Sequence, residues 1–286
     1  CWFQLTDSLQ HMFFRYLDKN HPALKHGMRE KSSQVIEDLY VDMDKMVGRI
    51  MDKLSPKTAL VIMSDHGFKS FRRGVHLNSW LYKNGYLALK NGKKTSGEWF
   101  KDVDWSRTKA YGLGLGGLYI NQKGRESQGI VEPGEETLKL KAELREKLEA
   151  VIDERVGSRA INKIYLKNEI PAGPYLNNCP DIIMGYSEGY RVSWDSVTGK
   201  VHSDLFEDNV KAWSGDHCID PELVPGILFC NYKINREDVS ITDIAPTALN
   251  IFGVPVPGHM DGRPFIERDS FSLVNTQKQS KAKEKK

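Results

Sequence analysis

The sequence predicts an α/β fold with a mostly parallel sheet flanked by helices. Residues 30–54 place apolar side chains every three to four positions, which indicates one long amphipathic helix that Pro56 ends. An apolar run rich in branched residues follows at 59–63, as expected for a strand buried on both faces of a parallel sheet. The order helix, turn, buried strand and polar loop is typical of an α/β fold. In such folds the functional site lies beyond the carboxyl ends of the strands.

The remaining elements follow from the same patterns. Their predicted order is a strand end at 2–5, a short helix at 77–84, a glycine-rich turn at 112–117 before a strand, a polar helix at 135–152, strands at 161–166, 181–184 and 224–229, and a helix at 241–252. We expect a core built from residues 1–68 and 212–267, interrupted by a smaller inserted α+β region at 69–211. Residues 268–286 lose apolar content and predict a disordered basic tail.

Composition bounds the class of protein. With 286 residues and 40% hydrophobic content, the chain can bury the core of one large domain or two small ones. The net charge is +3, and residues 275–286 hold five lysines against one glutamate, so the body is close to neutral. This balance indicates no nucleic-acid or anionic-membrane partner. No stretch approaches the ~18 apolar residues of a membrane span. The four cysteines form no C-x-x-C pair, which leaves the redox compartment open.

Five residues in three short motifs are candidate metal ligands: Asp7, His11, Asp65, His66 and His217. Asp7 and His11 are four residues apart and share one face of a helix. Asp65 and His66 follow the predicted buried strand, where Gly67 gives the backbone the freedom to turn both side chains toward one ion. Carboxylates and imidazoles without a thiolate suggest catalytic Zn²⁺ or Mn²⁺ and not a structural zinc site.

Each motif taken singly has a simpler interpretation. Asp7 and His11 can be surface residues of a helix, Asp65 can cap a helix, and His217 can be an ordinary loop histidine. Cys218, next to His217, fits a small buried residue near a strand better than a ligand. The case for a metal site therefore depends on the three motifs together.

Other polar residues are weaker candidates. The run Gly112–Gly117 lacks the Lys-Ser/Thr of a phosphate loop and fits a turn. His76 can line a pocket, whereas three further histidines are predicted to be solvated: His21, His26 and His202. Four residues can contact phosphate but fit ordinary polar positions better: Arg72, Arg73, Asn78 and Lys211.

The motifs in this order resemble the alkaline phosphatase superfamily. The nearest branch is the type I phosphodiesterase/nucleotide pyrophosphatase group and, within it, the predicted phosphohydrolase/phosphomutase family. The matching stretches are T-D-S-L-Q-H-M-F-F at 6–14, V-I-M-S-D-H-G-F at 61–68, W-S-G-D-H at 213–217 and T-D-I-A-P-T-A-L at 242–249, with further likeness at 121–131 and 260–264. The resemblance covers roughly residues 1–267.

This resemblance implies an alkaline-phosphatase-like core with two divalent ions, Zn²⁺ first and Mn²⁺ second. Asp7, His11 and His217 would hold one ion, and Asp65 and His66 the other. The family completes the second site with an Asp and a Ser or Thr nucleophile from an early strand, which we do not find in this sequence. We therefore expect a core that is incomplete at its N-terminus, with the nucleophile upstream of residue 1, and a chain that by itself holds one ion and can be inactive.

The implied activity is metal-dependent hydrolysis of phosphate esters through a Ser/Thr phospho-enzyme, acting on a small phosphorylated substrate. Two alternatives stay open. One is a phosphomutase of the same superfamily, and the other is a truncated, catalytically inactive metal-binding domain. The sequence does not determine the substrate, the localisation or the oligomeric state.

Overall fold

The structure is a computed structural model that describes residues 1–26, 32–170 and 173–267. The α-helices in these ranges are α1 Leu5–Phe13, α2 Val35–Met51, α3 Leu77–Lys83, α4 Glu135–Glu149, α5 Trp194–Val197 and α6 Ile244–Ile251. The strands are β1 Val61–Met63, β2 Lys69–Val75, β3 Ala110–Leu113, β4 Gly117–Ile120, β5 Ile152–Asp153, β6 Ser158–Arg159, β7 Ile161–Leu166, β8 Ile182–Tyr186, β9 Gly189–Val192, β10 Phe206–Asp208, β11 Gly215–Asp216 and β12 Leu228–Cys230. The predicted tail at 268–286 lies outside the described residues.

The chain divides into two compact units. The first unit contains residues 1–38 and 68–224, and the second contains residues 39–67 and 225–286. These boundaries group the residues differently from the expected core and insert, so the division at 68/69 and 211/212 stays a prediction. Within the described residues, no helix combines the length and the apolar character needed to cross a membrane.

The first unit is organised around strand β2. This strand pairs in parallel with β9 and antiparallel with β10 and with β11. A second, antiparallel sheet has the order β3-β4-β8-β7, and the buried face of α4 packs on β7. Leu144 of α4 and Ile164 of β7 are almost fully buried in the same apolar core as Leu118 and Ile182. Helix α4 follows the prediction because its apolar residues recur at helical spacing along one face.

The second unit contains the antiparallel pair β1–β12, most of α2, and α6. Ser240 begins the helical segment before α6 by accepting a hydrogen bond from the Thr242 N–H, and Gly253, at φ 70°, ends it. The M-D-G-R-P segment at 260–264 packs on this helix, because the Arg263 N–H donates to Asp243 Oδ1 at 2.6 Å. At Gly262 a Cβ would lie 2.1 Å from the Thr242 carbonyl oxygen, so only glycine fits there.

The expected mostly parallel sheet differs from the sheets observed among the described residues. Their strand pairs are antiparallel except for β2 with β9. Short connections explain part of this difference, because a parallel pair needs a crossover of about a dozen residues. Strand β1 is also less buried than its apolar run suggested. It pairs with β12 alone among the described strands, and Met63 is 44% exposed.

Candidate metal centre

Helix α1 carries two of the predicted ligands on one face. Leu5–Phe13 forms the helix, so the predicted strand end at residues 2–5 is wrong and Asp7 and His11 stand one turn apart. His11 is buried, whereas the Asp7 side chain is 41% exposed. The helical spacing on which the sequence prediction depended is therefore present.

Strand β11 reaches α1 because residue 215 is glycine. A Cβ at Gly215 would lie 2.6 Å from the Gln10 carbonyl oxygen, so any other residue would push the helix away. The close approach allows the Ser214 N–H to donate to the His11 carbonyl at 2.6 Å. It also brings His11 Nδ1 to 2.8 Å from the Gly215 carbonyl, although the two residues are 204 positions apart in the sequence. The S-G-D-H motif thus builds one wall of the site through its glycine.

Asp7, His11 and His217 meet in the first unit. Asp7 Oδ1 lies 3.4 Å from His11 Nε2 and 3.8 Å from His217 Nε2, and the two imidazole centroids are 5.2 Å apart. Because a carbonyl can only accept, His11 Nδ1 donates its proton to Gly215, and in a neutral ring this leaves the Nε2 lone pair facing the Asp7 carboxylate.

A lone pair that faces a carboxylate is unfavourable unless a proton or a metal cation lies between them. The separation of 3.4 Å exceeds an ordinary hydrogen bond. It agrees with two ligands of one tetrahedral Zn²⁺, which lie about 3.3 Å apart when each bond is about 2.0–2.1 Å. A carbonyl that orients a histidine through the nitrogen opposite to the ligating one is a common feature of metal sites. The chemistry of these three residues fits a divalent ion, and the separation of Asp7 Oδ1 from His11 Nε2 fits two ligands of one ion.

Two aromatic side chains hold the imidazole of His11. The Trp213 indole stacks on it with a centroid distance of 3.7 Å, and the Phe68 ring meets it edge-on at 4.8 Å. Phe68 also contacts the ring of His217 edge-on at 5.3 Å. Sequence reasoning assigned no role to Trp213 or Phe68, although both belong to the motifs at 213–217 and 61–68.

Asp216 organises the turn that carries His217. Its Oδ1 accepts the backbone N–H of both His217 and Cys218 at 2.9 Å, and its Oδ2 accepts the indole N–H of Trp213 at 2.8 Å. Burial by itself would raise the pKa of Asp216, but the Arg191 guanidinium and these donors outweigh it and hold the pKa below its ordinary value. Asp216 is thus an ionised, fully engaged carboxylate, and sequence reasoning missed both it and Arg191.

Cys218 completes a second group of potential ligands with Asp216 and His217. Burial, with a contribution from the Asp216 charge, raises the pKa of the Cys218 thiol to about 11. The thiol is therefore protonated at neutral pH, and Asp216 is already paired. The sequence interpretation of Cys218 as a small buried residue fits this environment better than a ligand role.

Asp65 and His66 lie in the second unit, directly after β1. The loop is anchored because the Ser64 N–H donates to the Ile227 carbonyl and the Ile227 N–H donates to Ser64 Oγ. His66 Nε2 lies 3.7 Å from Asp65 Oδ2, and His66 Nδ1 lies 3.1 Å from the Gly67 carbonyl. The two side chains therefore lie close together after the strand, and their role as ligands of one ion stays a prediction.

Three of the four residues considered for phosphate contacts have structural partners, and the Lys211 ammonium lies 6.0 Å from the centroid of the Trp194 ring. Asn78 is fully buried and exchanges two hydrogen bonds with the backbone of Gly112. Arg72 pairs with Asp18, and the buried Arg73 pairs with Asp153 and Asp208. A pocket of about 320 Å³ lies beside these arginines, but their charges are matched by the carboxylates that they contact. The Gly112–Gly117 run joins β3 to β4 as a turn, as predicted.

The predictions for the other histidines are partly wrong. His21 is buried, with Nε2 at 2.8 Å from the Phe71 carbonyl and Nδ1 accepting the Ala23 N–H. His202 is half-buried and stacks on the fully buried His76 with a centroid distance of 4.4 Å. His76 Nδ1 lies 2.7 Å from Ser193 Oγ, so His76 lies in the core of the first unit. The side chain of His26 lies outside the described residues.

We expect His76 to make stability depend on pH. Burial lowers its pKa to about 4, and the neighbouring His202 adds to this effect. Since the unfolded value is about 6.5, the unfolded chain binds more protons between these values, and the free energy of unfolding falls as pH falls from 6.5 to 4. The slope from this residue is at most about 1.4 kcal/mol per pH unit. Urea unfolding at several pH values should show a smaller slope in His76→Gln and an unchanged slope in His259→Gln. An equal slope in wild type and His76→Gln would contradict this assignment.

Of the comparisons with known proteins, the match to a family model agrees with the resemblance found in the motifs. No curated protein matches the chain. A solved structure, human ectonucleotide pyrophosphatase/phosphodiesterase 5, is similar with 16% identity and a TM-score of 0.43 over 90% of this chain, and the chain spans about half (54%) of that structure's length. The family model of type I phosphodiesterase/nucleotide pyrophosphatase matches residues 1–204 of the 286. The chain therefore belongs to the type I phosphodiesterase/nucleotide pyrophosphatase family.

Proposed function

We propose that this chain supplies metal-binding residues of a phosphoric ester hydrolase that acts on a small phosphorylated substrate. Membership of the phosphodiesterase family supports the reaction class. The observation that carries the metal proposal is the position of Asp7 Oδ1, 3.4 Å from His11 Nε2 and 3.8 Å from His217 Nε2. A carboxylate that faces two imidazole nitrogens at these distances is the donor set of a catalytic Zn²⁺ or Mn²⁺.

The proposed ligands form two groups. Asp7, His11 and His217 hold one ion, and Asp65 and His66 donate to the other. A bound ion supplies two effects, since it polarises a phosphoryl oxygen and lowers the pKa of a hydroxyl nucleophile. The finer part of the proposal is a Ser or Thr nucleophile that forms a phospho-enzyme, which divides the hydrolysis into two easier steps.

The side chains of the first group have distinct roles. His11 is buried between Trp213 and Phe68, so its ring is fixed and its Nε2 has one direction available. Asp7 and His217 are 41% and 28% exposed, which leaves their side of the group open to a substrate. One rigid, buried ligand, His11, and two partly exposed ligands, Asp7 and His217, suit a catalytic metal site. Such a site must keep one coordination position of the ion open.

Metal binding and ester hydrolysis test this proposal separately. Metal-free chain titrated with Zn²⁺ or Mn²⁺ in a calorimeter should bind one ion tightly through the first group. The product of the complete gene should hydrolyse bis(p-nitrophenyl) phosphate, lose this activity in a chelator and regain it with either ion. A chain that binds neither ion would refute the metal proposal. A metal-loaded gene product that cleaves neither this diester nor p-nitrophenyl phosphate would refute the hydrolase proposal.

A further inference from the structure

A buried ion pair lies in the first unit beside the Asp7 group, which consists of Asp7, His11 and His217. Arg191 Nε of β9 is 2.8 Å from Asp216 Oδ2 of β11, and both side chains are almost completely buried. The Arg191 guanidinium lies over the Trp194 ring at 4.1 Å and over the Phe71 ring at 5.2 Å. Removing two charges from water offsets most of what their attraction contributes, and apolar residues of similar size often serve stability equally well. Stability alone therefore does not explain this pair.

The carboxylate of Asp216 holds His217 through hydrogen bonds to the backbone. Its Oδ1 accepts the N–H of His217 and that of Cys218, and the β-ladder pairs Asp216 with Lys69 of β2. The turn that presents the His217 side chain is thus tied to a residue whose own position is set by a strand. A change in the orientation of the Asp216 carboxylate would release this turn.

The same carboxylate also contacts Trp213, whose ring stacks on His11. The indole N–H of Trp213 donates to Asp216 Oδ2 at 2.8 Å, and this fixes the plane of the ring that stacks on His11. The rings of Trp194 and Trp213 pack in a T-shaped arrangement with a centroid distance of 6.2 Å, so the aromatic ring that covers Arg191 also supports the indole. Both oxygens of one carboxylate are therefore used, one for each imidazole of the Asp7 group.

We propose that the Arg191–Asp216 ion pair positions His11 and His217 for the divalent ion, with Arg191 fixing the carboxylate and the carboxylate fixing both imidazoles. Arg191 and Asp216 are positioning residues and not ligands. The role of the ion rests on the proposed function, whereas the placement of the two rings is a property of the metal-free chain.

The test removes both charges together. In Arg191→Met/Asp216→Asn no buried charge is left unpaired, and the asparagine oxygen can still accept the N–H of His217. The amide nitrogen of the asparagine cannot accept the hydrogen bond from the Trp213 indole N–H. Without the Arg191 guanidinium, no charge orients the asparagine side chain. We expect the ring resonances of His11, measured by NMR on ¹⁵N-histidine-labelled metal-free chain, to move as the Trp213 stack loosens. Zn²⁺ affinity measured by calorimetry should fall about 10–100-fold, the usual effect of losing an outer partner of a ligand.

A matched control separates positioning from general loss of stability. Arg73→Met/Asp153→Asn removes another buried ion pair of the same unit. It should leave the His11 resonances and the Zn²⁺ affinity unchanged. If the Arg191/Asp216 double variant folds with unaltered His11 resonances and unaltered Zn²⁺ affinity, the pair is only structural and the proposal is wrong. If the double variant does not fold, the single variant Asp216→Asn is used in its place, because it also removes the acceptor of the Trp213 N–H. Unaltered His11 resonances and unaltered Zn²⁺ affinity in that variant would likewise show that the proposal is wrong.

The two readouts also separate this proposal from the proposed function. Wild-type chain that binds no Zn²⁺ would overturn the proposed metal function. The His11 resonances of the metal-free variants would still decide whether the ion pair positions the ring, because that measurement requires no ion.

Discussion

Replacing His217 by alanine is expected to lower the affinity of the chain for Zn²⁺ by more than about 100-fold, beyond the 10–100-fold effect of losing an outer partner. The variant removes one of three donors, and Asp7 and His11 alone do not complete a tetrahedral site. In the product of the complete gene, kcat/KM for an aryl phosphodiester should fall by more than about 100-fold, which corresponds to about 2.7 kcal/mol of transition-state stabilisation. Calorimetry and initial rates measure the two effects.

The matched control is His259→Ala, which removes an exposed histidine of the second unit. This control should retain wild-type affinity and activity. His217 is only partly buried, so its removal should leave the folded state intact, and the urea midpoint checks this. Wild-type affinity in a folded His217→Ala chain would remove His217 from the proposed ligands.

Replacing Arg73 by methionine is expected to lower the free energy of unfolding by about 3–5 kcal/mol. The Arg73 guanidinium contacts Asp153, whose side chain is 2% exposed, and also donates to Asp208 at 2.9 Å. Methionine keeps much of the apolar stem but leaves the buried Asp153 carboxylate without its cation. Urea denaturation should therefore show a lower midpoint with an unchanged slope if the folded state stays compact.

Arg155→Met is the control for Arg73. Arg155 also pairs with Asp208, but its side chain is 60% exposed, and exposed ion pairs contribute little to stability. Its urea midpoint should stay close to that of the wild type. Equal losses in the two variants would show that burial of Asp153 does not control the effect. If Arg73→Met instead retained full stability and lowered activity, Arg73 would belong to the phosphate-binding residues that sequence reasoning considered.

Local periodicity was enough to predict several elements. Helix α2 at Val35–Met51, helix α4 at Glu135–Glu149 and strand β7 at Ile161–Leu166 lie within or at the predicted ranges. The hydrophobic periodicity that predicts each of these elements is visible within a few consecutive helical turns or strand residues. Strand direction was not contained in such a signal, because a short apolar run indicates burial on both faces and occurs in antiparallel sandwich cores as well as in parallel sheets. The prediction of a mostly parallel sheet was wrong for the described strands for this reason.

Burial of individual polar residues also required the tertiary structure. His21, predicted as solvated, is buried because its two ring nitrogens find partners in the Phe71 carbonyl and the Ala23 N–H. Arg191 has no distinctive spacing in the sequence, yet it is almost fully buried against Asp216. A polar residue can be buried when its hydrogen-bond or charge partner is supplied, and that partner usually comes from a distant part of the chain.

By itself, the sequence predicted the candidate donors and determined their local geometry. It placed Asp7 and His11 on one helical face and Asp65 and His66 at the end of a strand, because helix and strand periodicity act over a few residues. The family resemblance implied that His217 joins Asp7 and His11, but only the tertiary structure decided how the chain brings them together. That meeting depends on Gly215, which lets β11 approach α1, and on Asp216, which binds the turn and the Trp213 indole. The contact between His11 and Gly215 joins residues 204 positions apart, and no local pattern encodes such a distance.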